Sequence, residues 1–186
     1  MRRLVYSMAV SLDGFVEGPG RELDWSTPDE ELHRFWNDQA RATTTALYGR
    51  RLYELMAGFW PTADADPAAP PTIAEFAGLW RVMPKVVFSS TLEEVGWNSR
   101  LVRGDVAAEV ERLKSEPGGD MEVGGPTLAA ALIARGLVDE FGLVVHPVVL
   151  GAGTPFFPSL ERRLALRLLD SRRFASGVVY LRYAAA

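Results

Sequence analysis

The chain contains no cysteine and only two histidines, His33 and His146, in 186 residues. Zinc–thiolate centres, a cysteine nucleophile and disulfides are therefore excluded. No Asp or Glu ligand pattern surrounds the histidines, so no metal site is expected. His33 reads as a solvated residue on the polar side of a helix. His146, before Pro147 in an apolar strand, reads as structural. No stretch approaches the roughly 18 apolar residues that span a bilayer. The first residues, Met1 to Tyr6, carry no signal-like apolar run. No Gly-x-Gly-x-x-Gly follows an early strand, and there is no Walker sequence. A net charge of −4 argues against a nucleic-acid partner. A soluble, cytoplasmic protein without nucleic-acid or membrane contacts is expected.

What is present suits a packed core. Hydrophobic residues make up 48% of the chain and charged residues 24%, which fits one domain over residues 1–186. Leu4 to Val10 reads as a buried strand, followed by a turn at Asp13-Gly14. Thr27 is the expected N-cap of a first helix, with Pro28 at its first position and Asp29, Glu30 and Glu31 at the positive end of its dipole. Thr43 to Tyr48, Lys85 to Phe88, Asp120 to Val123 and Phe141 to Leu150 read as strands. Arg50 to Gly58, Ile73 to Trp80, Val106 to Lys114 and Leu128 to Arg135 read as helices. Residues 167–174 and 178–183 read as a final hairpin around Ser176-Gly177. Proline-rich Trp60 to Pro71 is the longest loop and the expected mobile lid. The alternation predicts an α/β domain, with a mostly parallel sheet, helices on both faces and an antiparallel edge.

Three strand ends face helix starts with residues suited to phosphate. These are Gly49-Arg50-Arg51, Ser89-Ser90-Thr91 and Gly124-Gly125-Pro126-Thr127. Ligands of open α/β sheets bind beyond the carboxyl ends of the strands. Helix N-termini there offer unpaired N–H groups, and arginine can grip a phosphate with two hydrogen bonds. Each segment alone reads equally as a turn, a cap or a solvated surface pair. The three together point to a phosphate-bearing cofactor. Arg103 reads either as an additional phosphate contact or, by default, as a solvated arginine.

Further segments recur in a recognisable order: Ser11-Leu12-Asp13-Gly14-Phe15, Gly49 to Glu54, Lys85 to Leu92, Gly124 to Leu128, Gly136 to Glu140, and His146 to Gly153 followed by Pro155-Phe156-Phe157. The ordered set spans nearly the whole chain and resembles the dihydrofolate reductase-like family. It is most similar to the branch of the reductase domain of the riboflavin-biosynthesis deaminase-reductase. The resemblance implies a three-layer single domain, a homodimer, and an NADPH-dependent reductase acting on a small pterin- or pyrimidine-like substrate. It implies that NADPH is held by Gly49, Arg50, Arg51, Ser89, Ser90, Thr91, Gly124, Gly125, Pro126 and Thr127, with the nicotinamide near Val10, Leu12 and Val16. Two departures stand out. Leu52 replaces the usual threonine after Gly-Arg-x. Val123 replaces the usual glutamate before Gly-Gly, which weakens the case for a riboflavin-pathway aminouracil substrate. A true dihydrofolate reductase, a riboflavin-pathway 5-amino-6-(5-phosphoribosylamino)uracil reductase and a non-catalytic nucleotide-binding module remain the alternatives.

The resemblance also implies an acid near the start of the first helix, at Glu30 or Glu31, whose residue types serve equally as helix-dipole partners. Asp13, at the end of the first strand, is the other candidate for the proton donor, and a turn role suits it as well. Trp25 and Trp60 are the aromatic residues expected to line a substrate pocket.

Overall fold

A computed structural model describes residues 1–186. Ten strands and five α-helices follow one another as β1 (Leu4–Ser11), β2 (Phe15–Glu17), α1 (Glu30–Ala42), β3 (Thr45–Gly49), α2 (Arg50–Phe59), α3 (Pro71–Val82), β4 (Lys85–Phe88), β5 (Ser99–Val102), α4 (Val106–Ser115), β6 (Met121–Gly124), α5 (Pro126–Ile133), β7 (Glu140–His146), β8 (Thr154–Pro155), β9 (Leu166–Arg173) and β10 (Val179–Ala185). Eight strands form one sheet in the order β5-β4-β3-β6-β1-β7-β10-β9, and β2 and β8 form a separate ribbon. The pairs from β5 to β7 are parallel, while β10 runs antiparallel to both β7 and β9. The architecture is the α/β class that alternation at the start and strands at the end imply. No helix is long and apolar enough to cross a membrane.

Side chains alternate across each strand, so the sheet buries both faces. On one face Leu4, Tyr6 and Val10 of β1 join Val110 and Leu113 of α4 and Leu128, Leu132 and Ile133 of α5. On the other, Leu32 and Phe35 of α1 pack on Val144 and Tyr180. Beside them Tyr48 and Val87 pack on Tyr53 of α2 and Trp80 of α3. This two-sided burial leaves the carboxyl ends of the parallel strands as the place where loops and helix starts converge.

Several local expectations change. The first helix begins at Glu30, because Asp29, not Thr27, is its cap: the Asp29 carboxylate accepts the Leu32 N–H at 2.8 Å. The Thr27 hydroxyl instead donates to Asp24 O, closing a 3-10 turn over Asp24–Ser26. His33 is buried rather than solvated, and its Nδ1 lies 3.1 Å from Asn37 Oδ1. β7 stops at His146, because Pro147 has no N–H to continue the ladder. β5, short and only partly buried, has no apolar signal that would announce it. The Trp60–Pro70 segment starts as a 3-10 turn and is pinned by Arg81, which forms a bidentate pair with Asp64 and donates to Pro61 O.

Candidate active site

A cavity of about 480 Å³ runs along the carboxyl edge of the sheet. The ends of β3, β4 and β6 and the starts of α2 and α5 form its floor, and Val16, Glu17 and Leu23 close one side. The helix starts differ in a telling way. Asp29 caps α1 and Asp105 caps α4, whereas α2, α3 and α5 follow Gly49, Pro70 and Gly125 with no side-chain cap, and of these three α2 and α5 line the cavity. Arg50 and Arg51 of α2 and Thr127 and Leu128 of α5 line the cavity, so their N–H groups lie beside it at the positive ends of two helix dipoles, while Pro126 has no N–H to offer. Gly125 makes this possible, since its φ of 90° is a conformation L side chains rarely adopt.

Three arginines line the cavity, in three electrostatic states. Arg51 is neutralised: its two terminal nitrogens donate to both oxygens of buried Glu17, at 2.9 and 2.7 Å. Thr154 Oγ1 donates to the same carboxylate at 2.8 Å. The Arg51 hydrogen bonds, first, and then that of Thr154 hold the Glu17 carboxyl below its ordinary pKa despite burial. Arg50 is held only loosely, 3.7 Å from Glu54, with both side chains about half exposed. Arg103 has carbonyl partners alone, Ser90 O at 3.3 Å and Leu92 O at 2.5 Å, and no carboxylate within salt-bridge distance. Arg50 and Arg103 are thus the cations open to an anionic ligand.

The structure sorts the candidate residues. Val16, Gly49, Arg50, Arg51, Ser89, Ser90, Gly124, Gly125, Pro126 and Thr127 all line the cavity. Thr91 lies just outside; its N–H donates to Ser89 Oγ, so the Ser89 hydroxyl closes its own turn. Val10 is buried in the core and Leu12 is two-thirds exposed at 66%, and neither reaches the cavity wall. Trp60 does not line it either, because its ring packs against His33, Phe59 and Phe76 under α3. No residue of the pinned Trp60–Pro70 segment contributes, so that segment does not cover this cavity. Trp25 lines a different, smaller pocket beside His146.

None of the three candidate acids enters the cavity. Asp13 accepts from Ser11 Oγ and from the backbone N–H groups of Leu150 and Gly151, tying the end of β1 to the following loop. The Ser11 bond, first, lowers its pKa. Glu30 pairs with Arg34 one turn along α1. Glu31 accepts from Arg172 and from the Ala175 N–H, and that backbone bond is the main cause of its lowered pKa. Cavity residues not among the sequence candidates include Met8, Glu17, Leu23, Leu55, Phe88 and Val102. Apolar residues at strand ends carry no signal that separates a cavity wall from a core.

The sheet order, the antiparallel end and the cavity at the carboxyl edge define a dihydrofolate reductase-like domain. A protein assigned to riboflavin biosynthesis from Shewanella sp. PV-4 superposes with a TM-score of 0.77 at 22% identity, covering 100% of this chain and 99% of that one. Dihydrofolate reductase from Enterococcus faecalis, solved with NADP(H), gives a TM-score of 0.64 at 14% identity over 98% and 96% of the two chains. These likenesses establish the fold. The sequence goes further: residues 2–180 match the model of the RibD C-terminal domain, and the chain belongs to that family. The uncharacterized protein YyaP of Bacillus subtilis is 37% identical over 98% of this chain and 94% of its own length.

Proposed function

We propose that the protein is an NADPH-dependent reductase that transfers hydride to a small heterocyclic substrate. The observation that carries this reading is the pair of uncapped helix starts, α2 and α5, opening into one cavity with Arg103, which has no carboxylate partner, and Arg50, held only by a 3.7 Å pair with Glu54. Bound NADPH supplies the hydride; the protein supplies binding, orientation and exclusion of water. The N–H groups at the α2 and α5 starts suit the pyrophosphate. Arg50, directly after β3, and Arg103, directly after β5, suit the extra phosphate that distinguishes NADPH from NADH. Membership of a reductase-domain family supports the same assignment.

Calorimetric titration tests it. NADPH is expected to bind more tightly than NADH, and Arg50→Ala or Arg103→Ala to weaken NADPH about tenfold, roughly 1.4 kcal/mol, with less effect on NADH. Equal or tighter NADH binding defeats the NADPH preference, and binding of neither defeats the reductase reading.

A homodimer belongs to the same proposal. β9 is an edge strand, with Leu168 and Leu169 exposed at 52% and 39%. β9 also carries Arg167, Asp170, Arg172 and Arg173, so the two exposed leucines rather than the whole edge are what a partner would cover. Light scattering is expected to give twice the chain's 20.5 kDa, and a monomeric mass at micromolar concentration contradicts the dimer.

A further inference from the structure

The opposite edge of the sheet holds another cavity, of about 440 Å³. Thr45, Lys85 and Ser99, the first residues of β3, β4 and β5, line it, as do Arg112 and Glu116 at the end of α4. It shares no lining residue with the cavity at the carboxyl edge.

Arg2 lines this amino-edge cavity and is only 8% exposed. Its Nε donates to Gly119 O at 2.9 Å, and its Nη2 to Thr44 Oγ1 and Thr45 Oγ1 at 2.9 and 2.6 Å. Nη1 has no hydrogen-bond partner, and it is not one of the four unpartnered atoms sealed from solvent, Tyr6 Oη, Ser7 Oγ, Trp80 Nε1 and His146 Nε2. That nitrogen therefore keeps accessible surface while the rest of the side chain is enclosed. All three acceptors are neutral oxygens, and an enclosed charge with no counter-ion is costly. Nor does the end of α4 need the guanidinium, because the Arg2 backbone N–H meets Lys114 O at 3.1 Å. The other lining cations are engaged. Arg100 and Arg112 share Glu109, Arg112 also pairs with Glu116, and Lys85 donates to Trp80 O and Met83 O. The loop before β5 adds a second observation. Among non-glycine residues only Arg21, Trp97 and Asn98 have positive φ, and the adjacent pair, at 58° and 56°, lines this cavity. Asparagine tolerates that conformation, whereas tryptophan adopts it rarely, and such backbone collects at ligand sites. Trp97 is 46% exposed, and Val86, Val95 and Leu113 add apolar lining.

We propose that this cavity is a second ligand site, for a small organic carboxylate with a flat apolar body, and that Arg2 Nη1 opens into it as the carboxylate's anchor. One unmatched guanidinium suits one negative charge, and the Glu116 carboxylate in the lining opposes a dianion. Trp97 and the three aliphatic residues suit an apolar body, and the volume lies within the ~300–1,000 Å³ of small-molecule sites. The site stands apart from the reductase reading, since β3 separates Thr45 in this cavity from Gly49 in the other.

Heteronuclear NMR reads the site through the Nε–H of Arg2 and the indole N–H of Trp97, one of five tryptophans. Arg2→Lys and Trp97→Phe identify the two signals by their loss. Benzoate, benzamide and inorganic phosphate are titrated separately to millimolar concentration, with ionic strength held constant by chloride. Benzoate is expected to move both signals to saturation, with neutral benzamide and dianionic phosphate at least about tenfold weaker. Arg2→Gln should weaken benzoate about tenfold, Arg2→Lys should recover part of the loss, and Arg103→Ala, at the other edge, should leave it unchanged. Signals that stay fixed, or drift without saturating, overturn the proposal. So does benzamide binding as tightly as benzoate, which removes the role of charge, or phosphate binding more tightly, which removes the carboxylate. A loss in Arg103→Ala equal to that in Arg2→Gln places the anion in the carboxyl-edge cavity and overturns it as well. The spectra of the unaltered protein decide the matter even if Arg2→Gln does not fold. NADPH is absent throughout, so failure here leaves the reductase reading untouched, and failure to bind NADPH leaves this site untouched.

Discussion

Glu17 uses its charge on Arg51, inside a cavity proposed to take phosphates. A carboxylate there repels an anionic ligand and competes with it for the guanidinium. Glu17→Gln retains the shape and the contact with Thr154 while removing the charge. It is expected to tighten NADPH binding about fivefold, near 1 kcal/mol, by calorimetry. Weaker binding would mean that Glu17 aims Arg51 at the ligand. Glu122 poses a different question on β6. Enclosure of its carboxyl, relieved only by a 3.2 Å bond from Thr43, pushes its pKa up from 4.5 to about 7. The folded state therefore holds a proton that the unfolded state has released. The resulting stability is full below about pH 4.5 and is lost as pH rises through about 7. Urea unfolding should show Glu122→Gln gaining on the parent at pH 8 relative to pH 4, and an equal difference at both would refute the assignment.

At the level of elements, Gly125 decides how α5 begins. Alanine there must adopt a positive φ, at a cost of about 1–3 kcal/mol and a Tm loss of roughly 2–12 °C for a chain of this size. Thermal unfolding that leaves Tm unchanged would show that the turn can relax. Gly49, Gly124 and Gly125 were legible as cavity residues because glycine between an apolar strand and a helical stretch has few other uses. Arg51 was legible as a cavity residue, but its partner was not: Glu17 arrives on the β2–β8 ribbon, which no local periodicity announces. Arg103 is exposed, as the sequence suggests, while its carbonyl partners come from the loop after β4 and carry no local signal. Composition cannot show the Arg81–Asp64 pair that ties the proline-rich segment after Trp60 to α3. The two tryptophans were drawn to one pocket by their chemistry, and the helices that carry them lead to different places.

Across the whole molecule, the strand order has a consequence for how the chain folds. β1 sits between β6 and β7, so Leu4 pairs with Met121 and Val5 with Glu140. The first strand made is thus without a sheet partner until β6, at Met121–Gly124, exists. β3, β4 and β5 pair among themselves and need no such wait. Closing long loops before their contacts reward it slows folding, and an apolar strand left open in the meantime invites association. Pulse-labelled hydrogen exchange during refolding should protect amides of β3 and β4 before those of β1, and the reverse order would refute this sequence of events. Refolding yield should then fall as protein concentration rises, because a waiting β1 can find another chain before it finds its own β6 and β7.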